Sequence, residues 1–135
     1  MRHNYIIAPI HSILREIQPD CNYIFLSLRE DLPIQDNVLV VNCLDTEEEN
    51  HVYAFDKEKH ARQILNFVME AKNEDVFICC DAGESRSPAV AAALYEYEYG
   101  ETADHIWKSK DYHPNMHVYR SMKECLRSSS SSQFV

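Results

Sequence analysis

Residues 76–90 read VFICCDAGESRSPAV, an apolar run followed by a polar loop and then by a second apolar stretch. The five apolar residues Val76–Cys80 predict a buried β-strand. A helix is predicted over Pro88–Tyr99, because proline suits the first turn of a helix. The intervening loop, Asp81–Ser87, therefore joins the carboxyl end of a strand to the amino end of a helix.

Short apolar runs alternate with helical patterns along the rest of the chain. Three more strands are predicted, at Tyr5–Ala8, Tyr23–Leu28 and Val38–Leu44. A helix stripe follows Asp56, its predicted N-cap, and Asn115 is the predicted N-cap of a last helix. Gly100 is the predicted C-cap of the helix over Pro88–Tyr99. Strands separated by crossover helices indicate an α/β fold with a mostly parallel central sheet covered by helices on both faces. Ligands bind such sheets beyond the carboxyl ends of the strands, which is where the 81–87 loop lies.

The length and charge of the chain limit its organisation and its partners. Its 135 residues predict one domain, 1–127, followed by a disordered Ser-rich tail, 128–135. The 45% hydrophobic and 26% charged residues are typical of a soluble globular protein. A formal net charge of −9 argues against nucleic-acid partners and against anionic membrane surfaces. No apolar run approaches the roughly 20 residues of a spanning helix, so no membrane association and a cytoplasmic location are predicted.

Cysteine and glycine usage restrict the chemistry further. Five cysteines without an export signal predict reduced thiols rather than disulfides. No C-x-x-C pair is present, so no metal and no cofactor are predicted. Only two glycines occur, and one of them, Gly83, lies inside the 81–87 loop, where a positive φ is needed.

The loop carries the residue types of an anion site with a nucleophile at its floor. Successive backbone N–H groups in such a loop converge on one point, and the helix N-terminus adds partial positive charge there. Arg86 can hold two phosphate oxygens, and Cys80 lies at the end of the strand beneath them. The same positive field favours the thiolate form of a cysteine. The segment therefore predicts phosphate binding above a reactive sulfur.

The segment CDAGESRSPAV resembles the signature loop of the cysteine-dependent protein tyrosine phosphatases, closest to the dual-specificity branch with its pattern H-C-x-x-G-x-S-R-S. The resemblance covers most of the chain: YIIAPIHSIL, YIFLSL, VNCLDTEE, FDKEKHARQILNFV and HPNMHVYRSM fall where a small bacterial-type member has similar segments. Only the loop motif is specific. One departure is Cys79, which stands where the family usually has the histidine that orders the loop.

The resemblance implies a role for each loop residue. Cys80 is the nucleophile, Arg86 is the phosphate clamp, and the Ser87 hydroxyl donates to the sulfur. The remaining phosphate-binding groups are backbone amides, those of Asp81, Ala82, Gly83, Glu84, Ser85 and Arg86.

Cleavage of a phosphate monoester also needs a proton for the leaving oxygen. The resembling family supplies it from an aspartate on a loop after a strand. Asp45, 35 residues before Cys80, directly follows the predicted strand Val38–Leu44 and is the favoured candidate. Asp56, 24 residues before Cys80, is better explained as a helix cap.

The predicted function is a phosphate monoester hydrolase that acts through a cysteinyl-phosphate intermediate. Its expected substrate is a phosphorylated protein or a small phosphate monoester, because Asp81 and Glu84 place negative charge where a polyphosphorylated inositide needs cations. Two alternatives remain open: a catalytically impaired phosphate-binding module, and a thiol redox enzyme built on Cys43, Cys79 and Cys80.

Overall fold

Four parallel strands form the central sheet of the structure, a computed structural model that describes residues 2–132. They pair in the order β1-β4-β2-β3. Their bounds are Asn4–Pro9 for β1, Asn22–Leu26 for β2, Val38–Val41 for β3 and Asp75–Cys80 for β4. The predicted parallel α/β sheet is thus confirmed, and within the described residues every strand pair is parallel.

Five α-helices connect and cover the strands in the described part of the chain. They are α1 (Ile10–Ile13), α2 (Arg62–Glu70, preceded by a π-helical turn at Lys57–Ala61), α3 (Arg86–Tyr99), α4 (Asp104–Trp107) and α5 (Met116–Ser132). None of the helices in this described range is long and apolar enough to cross a membrane.

The sheet separates two hydrophobic clusters. The larger one packs Ile24, Leu26, Ile78 and Cys80 against α2, α3 and α5. The smaller one includes Phe25 and Cys79 and lies against α1 and the segments that flank it. Because side chains alternate along a strand, the neighbours Cys79 and Cys80 belong to opposite faces.

The register brings the candidate site to the centre of one sheet edge. Cys80 is level with Pro9 of β1 on one side and with Leu26 of β2 on the other. Leu26 is in turn level with Val41 of β3. The residues that directly follow these strand ends therefore surround the loop that begins at Asp81.

Element ends differ from the predicted ones by a few residues. β3 ends at Val41 rather than Leu44, because the Leu44 N–H donates to the Tyr53 carbonyl (2.8 Å) instead of continuing the ladder. β2 ends at Leu26 rather than Leu28. α3 begins at Arg86, which places Pro88 third in the helix, where its missing N–H has no partner to lose.

The predicted caps are present. The Asp56 carboxylate accepts from the N–H groups of Glu58 and Lys59, and the Asn115 side chain accepts from the Val118 N–H. Gly100 ends α3 in the left-handed conformation, with φ 69°.

The carboxyl-terminal boundary of the domain stays a prediction. α5 continues to Ser132, into the segment for which the sequence predicts a disordered tail. Residues 133–135 lie outside the described residues.

Candidate active site

Cys80 is the last residue of β4, and its sulfur lies under the loop that leads into α3. The Ser87 hydroxyl lies 3.2 Å from Sγ, and the Ser87 N–H donates to Sγ at 3.4 Å. Both residues are buried. The sulfur therefore has both a hydroxyl and an amide N–H of the first turn of α3 within hydrogen-bond distance.

Gly83 allows the loop to pack against the end of β1. Its φ is +70°, and a Cβ built there would lie 2.8 Å from the Pro9 nitrogen and 2.9 Å from the Ala8 carbonyl carbon. A side chain at this position therefore meets main-chain atoms that cannot move independently of the sheet.

The amides of the loop are available to a ligand. Among the described residues, the backbone N–H groups of residues 81–86 donate no hydrogen bond to the rest of the protein. The loop also leads into the amino end of α3, a helix of 14 residues. Unpaired amides at a helix N-terminus form an anion-binding position.

Arg86 lies beneath the loop with its side chain almost entirely buried, at 7% exposure. Its Nη1 donates to the Cys43 carbonyl (2.8 Å), and its Nη2 donates to the Asp81 carboxylate (3.0 Å). Its Nε is buried and has no hydrogen-bond partner. A buried guanidinium nitrogen without an acceptor is costly, which makes Arg86 a candidate functional residue.

The Asp81 carboxylate links the loop to the end of β2. One oxygen accepts from the Ser27 hydroxyl (2.7 Å) and the other accepts from Arg86. Burial raises the pKa of Asp81, but the hydrogen bonds from Ser27 and Arg86 and the charge of Arg86 outweigh it, so the pKa lies below its usual value. Asp81 therefore stays charged and holds Arg86 in place.

Asp45 lies at the rim of the loop. Its Oδ1 accepts from the Ser85 hydroxyl (2.8 Å) and from the Asn115 side-chain amide (2.8 Å). The Asn115 N–H also donates to the Ser85 carbonyl (3.0 Å), which ties the start of α5 to the loop. The structure thus brings Asp45 together with the loop, whereas Asp56 caps the π-helical turn.

The neighbouring thiols have surroundings that suit packing. Burial raises the pKa of Cys43 and of Cys79 to about 12 in each case. A dithiol redox site needs a second cysteine with thiolate character. This pair of raised pKa values weighs against the thiol redox alternative.

A second cavity lies away from the loop. A cavity of about 1300 Å³ lies between residues 47–60 and α5 and includes no residue of the 80–87 segment. Within residues 2–132, no group of three His, Cys, Asp or Glu side chains is placed to hold a metal ion.

Three residues that position the site are missing from the predicted set. Ser27 and the Cys43 carbonyl fix Asp81 and Arg86, and the side chain of Asn115, predicted only as a cap, also holds Asp45. For Ser27 a signal exists, because it is a polar residue directly after a buried strand at the same sheet edge. The hydrogen bond to the Cys43 carbonyl cannot be predicted from residue type, because every residue has a main-chain carbonyl.

The two glycines allow a matched test of the loop packing. Gly83→Ala should lower the free energy of unfolding more than Gly100→Ala does, although both positions have φ near +70°. Each alanine costs about 1–2 kcal/mol for the left-handed backbone. Only at Gly83 does the new Cβ also meet the backbone of β1, since nothing lies within 4 Å of a Cβ at Gly100. Thermal unfolding measures both, and equal losses would contradict the close packing.

Comparisons with solved structures show proteins of the same fold. The PTP-2 phosphatase of Cydia pomonella superposes with a TM-score of 0.62 at 15% identity, over 90% of this chain and 84% of that chain. PTPMT1 in complex with PI(5)P gives 0.62 at 11% identity, over 98% and 97%. A human tyrosine phosphatase-like serine/threonine/tyrosine-interacting protein gives 0.59 at 15% identity, over 97% and 93%.

No protein-family model matches the sequence, and a comparison with curated proteins finds no match. The similarity is therefore one of fold, and it extends over nearly the whole chain. The predicted resemblance to the dual-specificity branch is confirmed at that level: the chain has the fold of the protein tyrosine and dual-specificity phosphatases.

Proposed function

We propose that this protein is a phosphate monoester hydrolase of the protein tyrosine or dual-specificity type, with Cys80 as its nucleophile. One arrangement carries the proposal: the Cys80 sulfur lies under a loop whose backbone N–H groups have no hydrogen-bond partner in the described residues. Arg86, whose buried Nε also has no partner, follows this loop directly. Phosphate is the ligand that matches an arginine, a ring of amides and a helix N-terminus together.

In the first step, the sulfur of Cys80 attacks phosphorus, so an S–P bond forms while the P–O bond to the leaving group breaks. Asp45 gives its proton to the leaving oxygen. Arg86 and the loop amides bind the phosphoryl oxygens, where charge develops in the transition state. The products of this step are the free alcohol or phenol and a cysteinyl phosphate.

In the second step, a water molecule attacks the phosphorus of the cysteinyl phosphate. The Asp45 carboxylate takes the proton of the water, the S–P bond breaks, and inorganic phosphate forms. The Ser87 hydroxyl, 3.2 Å from the sulfur, donates to it as negative charge returns there. Asp45 is protonated again and the cycle is complete.

The hydrogen bonds of Asp45 support different tasks for its two oxygens in this proposal. Oδ1 accepts from Ser85 and Asn115, so its position is fixed. Oδ2 forms no hydrogen bond within residues 2–132, and the proposal gives this oxygen the transferable proton. Asp45 thus acts as acid and base in turn, without moving away from the loop.

The proposed substrates are a phosphorylated protein or a small phosphate monoester. The predictions that neither nucleic acid nor a membrane is a partner, and that the protein is cytoplasmic, rest on charge and composition and stay predictions. No cofactor takes part in the proposed steps.

Hydrolysis of para-nitrophenyl phosphate by the wild-type protein, with competitive inhibition by tungstate, tests the proposal. Arg86→Lys should lower kcat/KM by about 10²–10³-fold, the usual cost of removing a donor to a developing oxyanion. Lysine keeps the charge but loses the planar guanidinium that reaches Cys43, Asp81 and phosphate together. Near-wild-type kinetics of this variant would remove Arg86 from its role.

A second candidate function is phosphate binding without turnover. It is favoured by the similarity to a protein whose name describes it as phosphatase-like and interacting, which this chain matches over 97% of its length. Cys79, at the position where the phosphatase family usually has a histidine, also favours phosphate binding without turnover. Tungstate binding in the absence of any para-nitrophenyl phosphate hydrolysis would support this candidate.

A further inference from the structure

A groove of about 520 Å³ borders the phosphate loop. It reaches the loop through Ser85 and Asp45. The rest of its lining is mixed in character and includes Glu47, Trp107, Tyr112, Pro114 and Met116. The groove thus continues outward from the position of the phosphate, where the residues next to a phosphorylated side chain lie.

The carboxylates of the groove form no ion pair within the part of the chain that the structure describes. Among residues 2–132, neither Asp45 nor Glu47 forms an ion pair, and the same is true of the exposed Glu84 beside Ser85. Glu47 Oε2 accepts from the Met116 N–H (2.6 Å), which fixes the side chain and leaves Oε1 without a partner. Glu47 therefore keeps one charged oxygen for a ligand.

The aromatic part of the groove is held in place by contacts outside it. The Trp107 ring packs edge-on against Tyr119, with centroids 4.8 Å apart, and its Nε1 donates to Glu96 (2.9 Å). Such a ring loses little conformational freedom when a ligand binds. Aromatic rings beside carboxylates form an environment that attracts a cation both through the ring and through charge.

We propose that this groove is a subsite for a lysine or arginine side chain that flanks the phosphorylated residue of a protein substrate. The proposal rests on the function proposed above, because the phosphate must occupy the loop for its neighbour to reach the groove. It narrows the substrate class to phosphoproteins with basic residues beside the phosphorylated position. Phosphate esters that bear further anionic groups meet the unpaired carboxylates and are disfavoured.

Three peptides with one phosphotyrosine and either arginine, glutamine or leucine at the two positions on each side test the proposal. We expect roughly tenfold higher kcat/KM for the arginine peptide than for the glutamine peptide, from one exposed ion pair and one cation–π contact. The preference should shrink in 0.5 M salt (on the order of a 4 Å screening length), since exposed charges are screened. Equal rates, or a preference for leucine over arginine, would overturn the proposal.

A pair of variants locates the preference in the groove. Glu47→Gln keeps an acceptor for Met116 but removes the charge, and we expect it to lower the arginine-to-glutamine rate ratio about threefold. Glu70→Gln is the matched control, because Glu70 is exposed at the end of α2 and forms no ion pair with another described residue. A ratio that Glu47→Gln leaves unchanged, or that both variants lower equally, would contradict the assignment.

Binding separates this inference from the proposed function. If the wild-type protein hydrolyses all three peptides at one rate, the function stands and the subsite does not. If it hydrolyses none, the peptides are titrated into the Cys80→Ser variant by calorimetry. Tighter binding of the arginine peptide there supports the subsite in a non-catalytic protein, and equal affinities rule the subsite out.

Discussion

The Cys80→Ser variant should lose hydrolysis of para-nitrophenyl phosphate to the background rate while it still binds tungstate. A serine hydroxyl in this place is a poor nucleophile because, unlike a cysteine thiol, it is not ionised at neutral pH. Removal of a catalytic nucleophile can cost about 10⁶-fold in kcat. Oxyanion binding should survive, since Arg86 and the loop amides are untouched. Steady-state kinetics and calorimetric titration measure the two properties on the same preparation.

Cys79→Ala is the matched control for this experiment. Cys79 is the adjacent cysteine, but it belongs to the hydrophobic cluster on the other face of the sheet. The substitution should lower the free energy of unfolding, because it leaves a cavity in this cluster. Turnover per folded molecule should be retained. Wild-type turnover in Cys80→Ser would exclude the proposed nucleophile, and background turnover in Cys79→Ala alone would move the role to Cys79.

The loop was the most predictable part of the molecule because its determinants are local. The apolar run before Asp81, Gly83 inside the loop and the helix that follows lie within one short stretch, so the sequence predicts strand, turn and helix together. The position of Asp45 was also predictable, since the carboxyl ends of parallel strands share one edge. The ends of β2 and β3 were not predictable, because they depend on which hydrogen-bond partner each main-chain N–H and carbonyl finds.

The supports of Arg86 were beyond prediction for a different reason. Cys43 contributes a carbonyl, which every residue type has, and Ser27 reaches Asp81 across 54 positions of sequence. The groove beside the loop likewise combines residues near 45 with residues near 107–116. Such pairings follow from strand order and helix packing, and no periodicity along the chain encodes them.

Asp45→Asn should lower kcat for a phosphotyrosine peptide by about 10²–10⁴-fold, the usual contribution of a general acid. Asparagine keeps an oxygen for Ser85 and Asn115 but has no proton to give. The loss for para-nitrophenyl phosphate should be much smaller, because para-nitrophenolate leaves without protonation. The comparison of the two substrates on one variant therefore isolates proton donation from any change in the loop.

Asp56→Asn is the matched control, since it makes the same substitution in the other candidate acid. Asp56 caps the turn at Lys57–Ala61, and asparagine is about as good a cap as aspartate, so both stability and kcat should change little. A large loss in Asp56→Asn that depends on the leaving group would transfer the acid role to Asp56. Equal losses for both substrates in Asp45→Asn would instead mean that Asp45 acts by holding Ser85 and Asn115, and the leaving oxygen would then need another proton donor.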